Sequence, residues 1–160
     1  MMTAENNLKE DLKEYKTRIN PSLKATLTWT RDLVFEGRTP QGYDLDFDAD
    51  AQWGCKPTEA LLLSLGGCMA IDIISILKKM RMEIRRFRID LAAERNPEPP
   101  QYLKAVEMVF HLSGENLDPR KIDRAIALSR KTYCSVYNSL RPDLDLKSRY
   151  VLEDEASTSP

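Results

Sequence analysis

The sequence predicts an α+β domain in the order βββ-α-ββ-α-β, and three observations carry that reading. Leu23-Lys24-Ala25-Thr26-Leu27-Thr28-Trp29-Thr30 alternates strictly between apolar and polar residues, the period of a half-buried strand. From Ala60 to Met80 apolar residues occupy nearly every face of a helical segment, so this helix needs cover on most sides. Asp118-Pro119 then opens a second helix, with Asp118 as its cap and Pro119 where a missing N–H costs nothing.

The elements follow in order. Residues 1–19 read as a charged helical or mobile extension, with Leu8, Leu12, Tyr15 and Ile19 on one face. Residues 20–152 are expected to form one domain. Leu33–Glu36 and Tyr43–Phe47 continue the first strand into a three-stranded meander around a turn at Gly37–Gly42. Asp48–Lys56 is a polar loop, and Pro57 starts the first helix, which closes on Lys78, Lys79 and Arg81 at the negative end of its dipole. Two strands follow, with Phe87, Ile89, Leu91 and Ala93 on one face of the first and Val106, Met108, Phe110 and Leu112 on one face of the second. The prolines of Asn96–Pro100 separate them. The second helix carries an inner stripe of Ile122, Ile126, Ser129, Tyr133, Val136 and Leu140 and ends at Arg141-Pro142. Leu146–Leu152 alternates as a last strand, and 153–160 is expected to be a disordered tail.

Bulk properties narrow the function. The chain has 160 residues, enough for one substantial core. A net charge of -1 and a pI near 5.9 give no global basic surface, so no nucleic-acid partner is expected. The opening residues lack a basic-then-apolar signal pattern. With three cysteines, that sets the expectation of a reducing, cytoplasmic setting in which the thiols are free. Ala60–Leu77 is long and apolar, but Ser64, Gly66, Gly67, Asp72 and Ser75 interrupt it and the strands need it as core, so no membrane span is expected. A helix apolar on all sides exceeds what six modest strands and one helix cover. A homodimer that buries it between subunits answers that demand.

Cys68 and Cys134 each lie inside a helical segment, and they can meet where the two helices cross. A free thiol with a pKa of about 8.5 is only ~3% thiolate at pH 7, and lowering that pKa to ~6 requires roughly 3.4 kcal/mol. Cys68 lies too deep in its helix for the dipole to help, and burial acts the wrong way. A cation must therefore be supplied from elsewhere, and an arginine stays charged when buried. Arg31 and Arg38 are the candidates in the N-terminal half, with Glu59 as a carboxylate to orient one of them. Cys134 lies in the last third of its helix, where the dipole disfavours an anion. This gives Cys68 the attacking role and Cys134 the resolving one. Small residues (Ser64, Gly66, Gly67 and Ser135) are expected to bring the backbones within disulfide reach. Cys55, in the polar loop, is read as incidental, Asp72 as a helix or dimer contact, and His111 as a strand surface residue. The spacing of the cysteines and the one histidine is not a zinc pattern, and no metal or bound cofactor is expected.

Pro57-Thr58-Glu59-Ala60-Leu61-Leu62, then Leu65-Gly66-Gly67-Cys68 and Asp72-Ile73-Ile74-Ser75-Ile76-Leu77, resembles the OsmC/Ohr family of osmotically induced and organic hydroperoxide resistance proteins. Leu128-Ser129-Arg130-Lys131-Thr132-Tyr133-Cys134-Ser135-Val136 is similar to the family's second cysteine motif. The resemblance implies an intertwined homodimer with two central helices packed against antiparallel sheets and an active site at the dimer interface. It implies a thiol peroxidase for small organic hydroperoxides, with a sulfenic acid on Cys68, condensation with Cys134, and re-reduction by an external dithiol, lipoyl-linked in one branch. It also places the family's arginine at Arg31. Two features depart from the peroxidase branches: the glutamate that follows the motif proline there is Thr58 here, with Glu59 one position later, and Trp29-Thr30 replaces the glycines before the arginine.

Two other functions compete with a peroxidase. One is a non-catalytic stress or small-molecule-binding protein with inert cysteines. The other is a thiol hydrolase or transferase, for which the sequence offers no evident base.

Overall fold

A computed structural model describes residues 21–154; the expected extension over 1–19 and the tail from Glu155 lie outside the described residues. Contacts divide the chain into two units, one ending at Leu61 and the other starting at Leu62.

The first unit holds β1 (Thr26–Arg31), β2 (Val34–Arg38) and β3 (Asp44–Asp48), paired antiparallel in sequence order as the expected meander. Arg38 and Asp44 face each other across the β2–β3 turn and join through two hydrogen bonds of 2.7 and 3.0 Å. The expected half-burial of β1 is not seen. All six of its residues are exposed, Leu27 at 58% and Trp29 at 64%. Alternation specifies which face of a strand is apolar, not what covers it. The loop after β3 is gathered by Asp48, whose carboxylate accepts the backbone N–H groups of Asp50, Gln52 and Trp53 at 2.9–3.0 Å. Those bonds, against the opposing cost of desolvation, hold its carboxyl below the usual range. Cys55 is tied in here as well, with its thiol directed at the Asp46 carbonyl.

α1 (Pro57–Lys79) starts in the first unit and continues through the second. It is long and apolar enough to cross a membrane by length and composition. Within the protein, however, Leu65, Met69, Ile73, Ile76 and Leu77 are wholly buried along it.

The second unit adds β4 (Glu83–Arg95), β5 (Leu103–Glu115) and β6 (Asp145–Leu152) as a sheet in that order. β5 carries the core, with Val106, Met108, Phe110 and Leu112 at 0–1% exposure, the face the alternation predicted. The expectation of purely antiparallel sheets needs correction: β4 and β5 are antiparallel, but β5 and β6 are parallel. The helical crossover between β5 and β6 is what permits parallel pairing. The chain beyond β6 stays attached for at least one residue, since Glu153 donates its N–H to Leu112 O and its carboxylate meets His111 Nδ1, each at 2.8 Å. His111 is thereby half-buried, not a free surface residue.

The second long helix is also corrected. Asp118 caps α2 (Pro119–Leu128) as predicted, its carboxylate accepting from Arg120 N. The helix then widens into a π-helical turn over Ser129–Tyr133, stops at Cys134, and restarts as α3 (Ser135–Ser139). The break is a wide i to i+5 bond, Cys134 N–H to Ser129 O at 2.8 Å, followed by an extended Cys134 (φ -69°, ψ 98°). No proline or glycine marks it.

Candidate active site

Cys68 and Asp72 are four residues apart on α1 and so share one helical face. Ser129 and Cys134 bracket the π-helical turn. The two Sγ atoms and a carboxylate oxygen of Asp72 lie within 4.8 Å of one another. The sequence expectation that the thiols meet is met in the second unit. Cys68 is half-buried, whereas Cys134 and Ser129 are 0% exposed and Asp72 is 4% exposed.

Small residues do not make this meeting. Gly66 serves a different contact: a Cβ there would stand 2.7 Å from the Leu91 Cδ1 atom of β4, while one on Gly67 would meet nothing within 4 Å. Ser64 and Ser135 are exposed. The tie between α1 and the π-helical turn is polar instead. Ser129 Oγ donates to Asp72 Oδ2 at 3.0 Å, in a fully buried bond. The bond satisfies polar atoms that burial would otherwise leave at a cost.

The dipole argument for Cys134 is overturned, because the residue caps the start of α3 and does not sit near the end of a long helix. Its Sγ accepts the Tyr137 N–H at 3.3 Å. Burial nevertheless dominates and pushes the Cys134 thiol up to about 12; the Tyr137 amide opposes it, and the Cys68 hydrogen bond and the Cys68 and Asp72 charges reinforce it. Tyr133 is raised too, by burial first and by Asp72 second. The two cysteines differ in their surroundings: Cys68 is half-buried, whereas Cys134 is buried and its thiol is pushed up. Sequence reasoning assigned Asp72 no chemistry. The available signal was a lone carboxylate one turn from a cysteine in a helix otherwise apolar on that face.

The other candidate residues belong to the first unit. Arg31 stacks over the Trp53 ring at 5.0 Å and adds a favourable charge to Asp48. Arg38 is engaged by Asp44. Glu59 reaches back to accept the Lys56 N–H at 2.9 Å, the reciprocal half of a helix cap, and among the described residues it pairs with no arginine. Glu59→Ala is therefore expected to lower stability by about 1 kcal/mol, read as a shift of the urea midpoint. In the second unit, Arg130 donates to the Tyr137 hydroxyl at 3.4 Å, with its guanidinium 5.5 Å from the centre of that ring.

Two three-stranded sheets, a long apolar helix carrying one cysteine and an interrupted helix presenting another define a class of α+β thiol proteins. The model of the OsmC-like protein family matches residues 48–149, and the chain belongs to that family. It is 30% identical over 129 residues to Protein YhfA of Escherichia coli strain K12, covering 80% of this chain and 96% of that one. A hypothetical protein from Aquifex aeolicus VF5 is 26% identical with a TM-score of 0.76, covering 84% of this chain and 98% of that one. The organic hydroperoxide resistance protein OhrB of Bacillus subtilis shares the fold at 16% identity and a TM-score of 0.56, over 81% of this chain and 98% of its own.

Proposed function

We propose that the protein is a two-cysteine thiol peroxidase for small organic hydroperoxides, working in oxidative-stress defence. The observation that carries this reading is the thiol pair itself, two Sγ atoms within 4.8 Å with only Cys68 accessible. The Cys68 thiolate attacks the outer peroxide oxygen; the O–O bond breaks, the alkoxide leaves and is protonated by the proton the Cys68 thiol gave up on ionising, and a sulfenic acid remains on Cys68. Cys134 Sγ then attacks that sulfur. The S–S bond forms, the S–O bond breaks, and water leaves with the Cys134 proton. An external dithiol, lipoyl-linked in the family's hydroperoxide branch, returns the pair to thiols. The family pattern assigns to Arg31 the cation that the first step requires. With the Glu59 carboxylate occupied by the helix cap, this reading assigns Glu59 no part in the chemistry.

The reading includes a homodimer in the cytoplasm. Support for the dimer comes from large apolar side chains left exposed in each unit, among them Trp29 at 64% in the first and Leu63 at 63% and Ile71 at 56% in the second. Light scattering is expected to give the mass of two chains, and the mass of one chain would overturn the dimer. The non-catalytic alternative draws on the sealed, protonated Cys134. A titration with cumene hydroperoxide under excess chelator separates the two readings. Loss of two hydrogens by mass supports the peroxidase, and thiols that stay reduced at millimolar peroxide overturn it.

A further inference from the structure

The convergence of Asp72 with the two cysteines is unusual for a site that only attacks peroxide. A carboxylate beside two thiols disfavours the thiolate that attack requires. Three groups able to become anions share one largely buried space, and a cation is what such a space accommodates. We propose that reduced Cys68 and Cys134 together with Asp72 form a binding site for a soft divalent cation of the zinc type. Two thiolates and one carboxylate would ligate it, with a fourth position open.

The ligand set fits that chemistry. Thiolate sulfur and carboxylate oxygen are both common zinc donors, and three protein ligands with an open fourth position is a recurrent zinc arrangement. In a tetrahedral centre neighbouring sulfurs stand about 3.8 Å apart. The donor atoms here, all within 4.8 Å of one another, need to close by no more than about an ångström. The surrounding hydrogen bonds already have the form that metal sites use. Ser129 Oγ–H fixes one oxygen of Asp72, leaving the carboxylate oriented, and the Tyr137 N–H points at Cys134 Sγ, where it stabilises a thiolate. Cys68 and Asp72 are locked into register by α1, and Cys134 is delivered by the extended residue that ends the π-helical turn. Half-exposed Cys68 gives the ion a way in. Metal binding competes with protons for the thiolate ligands, so affinity is expected to fall as pH is lowered. The linear spacing of cysteines and histidine gave no sign of this set, because one ligand is an aspartate and the two cysteines come from separate elements.

The test uses the full chain, fully reduced and stripped with chelator, then titrated with Co²⁺. One equivalent per chain is expected to produce a thiolate-to-cobalt charge-transfer band and the visible bands of a four-coordinate ion, both displaced by Zn²⁺. Cys68→Ser and Cys134→Ser should each lose the charge-transfer intensity of one thiolate and bind at least 100-fold more weakly. Asp72→Asn should bind at least tenfold more weakly, and Cys55→Ser should bind as wild type. Should a variant fail to fold, wild-type protein supplies the second measurement: Zn²⁺ is expected to shield Cys68 from iodoacetamide, and protein whose Cys68–Cys134 disulfide has been closed with diamide should bind nothing. Absence of the charge-transfer band at one equivalent of Co²⁺ overturns the proposal, as does a band that persists in protein whose Cys68–Cys134 disulfide is confirmed by mass, or a Cys68 alkylation rate that Zn²⁺ leaves unchanged. The peroxide titration is run in chelator, so the two readings fail separately. Protein that binds cobalt but ignores peroxide keeps this site and loses the peroxidase, and the converse result does the reverse.

Discussion

Cys68→Ser is expected to abolish the reaction with organic hydroperoxide, whereas Cys134→Ser is expected to leave the first oxidation intact and strand it as a sulfenic acid. The asymmetry follows from access. Cys68 is half-buried and can be reached, while Cys134 is 0% exposed and cannot meet peroxide directly. Serine at 68 removes the only accessible sulfur of the pair, so consumption should fall to the level of peroxide alone. Serine at 134 removes the second sulfur, so each chain should consume one peroxide and take up one oxygen by mass, trapped by dimedone. In the wild type the second step should be the slow one. With the Cys134 thiol pushed up to about 12, its thiolate fraction rises roughly tenfold per pH unit across the accessible range, and disulfide closure should accelerate with it. Stopped-flow measurement of both steps between pH 6 and 9 checks this. Equal loss of the first step in both variants, or closure insensitive to pH, would contradict the assigned roles.

The parts of this molecule that could be read in its sequence are those fixed by local pattern. The apolar face of β5 from Val106 to Leu112 follows from period-two alternation, and all four residues are buried. The Asp118-Pro119 start of α2 follows from cap chemistry. What escaped was set by hydrogen bonds that no local preference announces. The helix break at Cys134 depends on one wide backbone bond to Ser129, in a stretch free of proline and glycine. Glu59 was legible as the third residue of a helix cap, yet the need for a cation to activate Cys68 drew attention to arginine pairing instead. Asp72 was visible as a polar intruder in an apolar helix, but its role depends on Ser129, 57 positions away. β1 shows the opposite failure. Its alternation is correct, but alternation carries no information about what lies against the apolar face.

The same sealed thiol predicts a specific loss of stability in alkali. In the reduced native protein Cys134 stays protonated to about 12, because burial and the neighbouring Cys68 and Asp72 disfavour its anion. In the unfolded chain it ionises near an ordinary thiol pKa of about 8.5. The folded pKa is therefore the raised one. Its contribution is fully present below about pH 8.5 and is lost as pH rises toward the folded value, at up to about 1.4 kcal/mol per unit. Between pH 9 and 11 the reduced protein should lose about 1–3 kcal/mol from this group. Cys134→Ala removes the titrating sulfur. It should start less stable at pH 7, since a buried side chain is shortened, and then lose less across the alkaline range, so the two curves converge. Tyr133, also raised by burial and Asp72, acts in the same direction. Tyr133→Phe should flatten the curve further, and the part of the remaining slope that Cys134→Ala then removes belongs to Cys134. Urea midpoints at fixed protein concentration with reductant present measure both slopes. Parallel curves for wild type and Cys134→Ala would mean that the buried thiol does not resist ionisation, and the account of Cys134 as the sealed partner of the pair would fall with it.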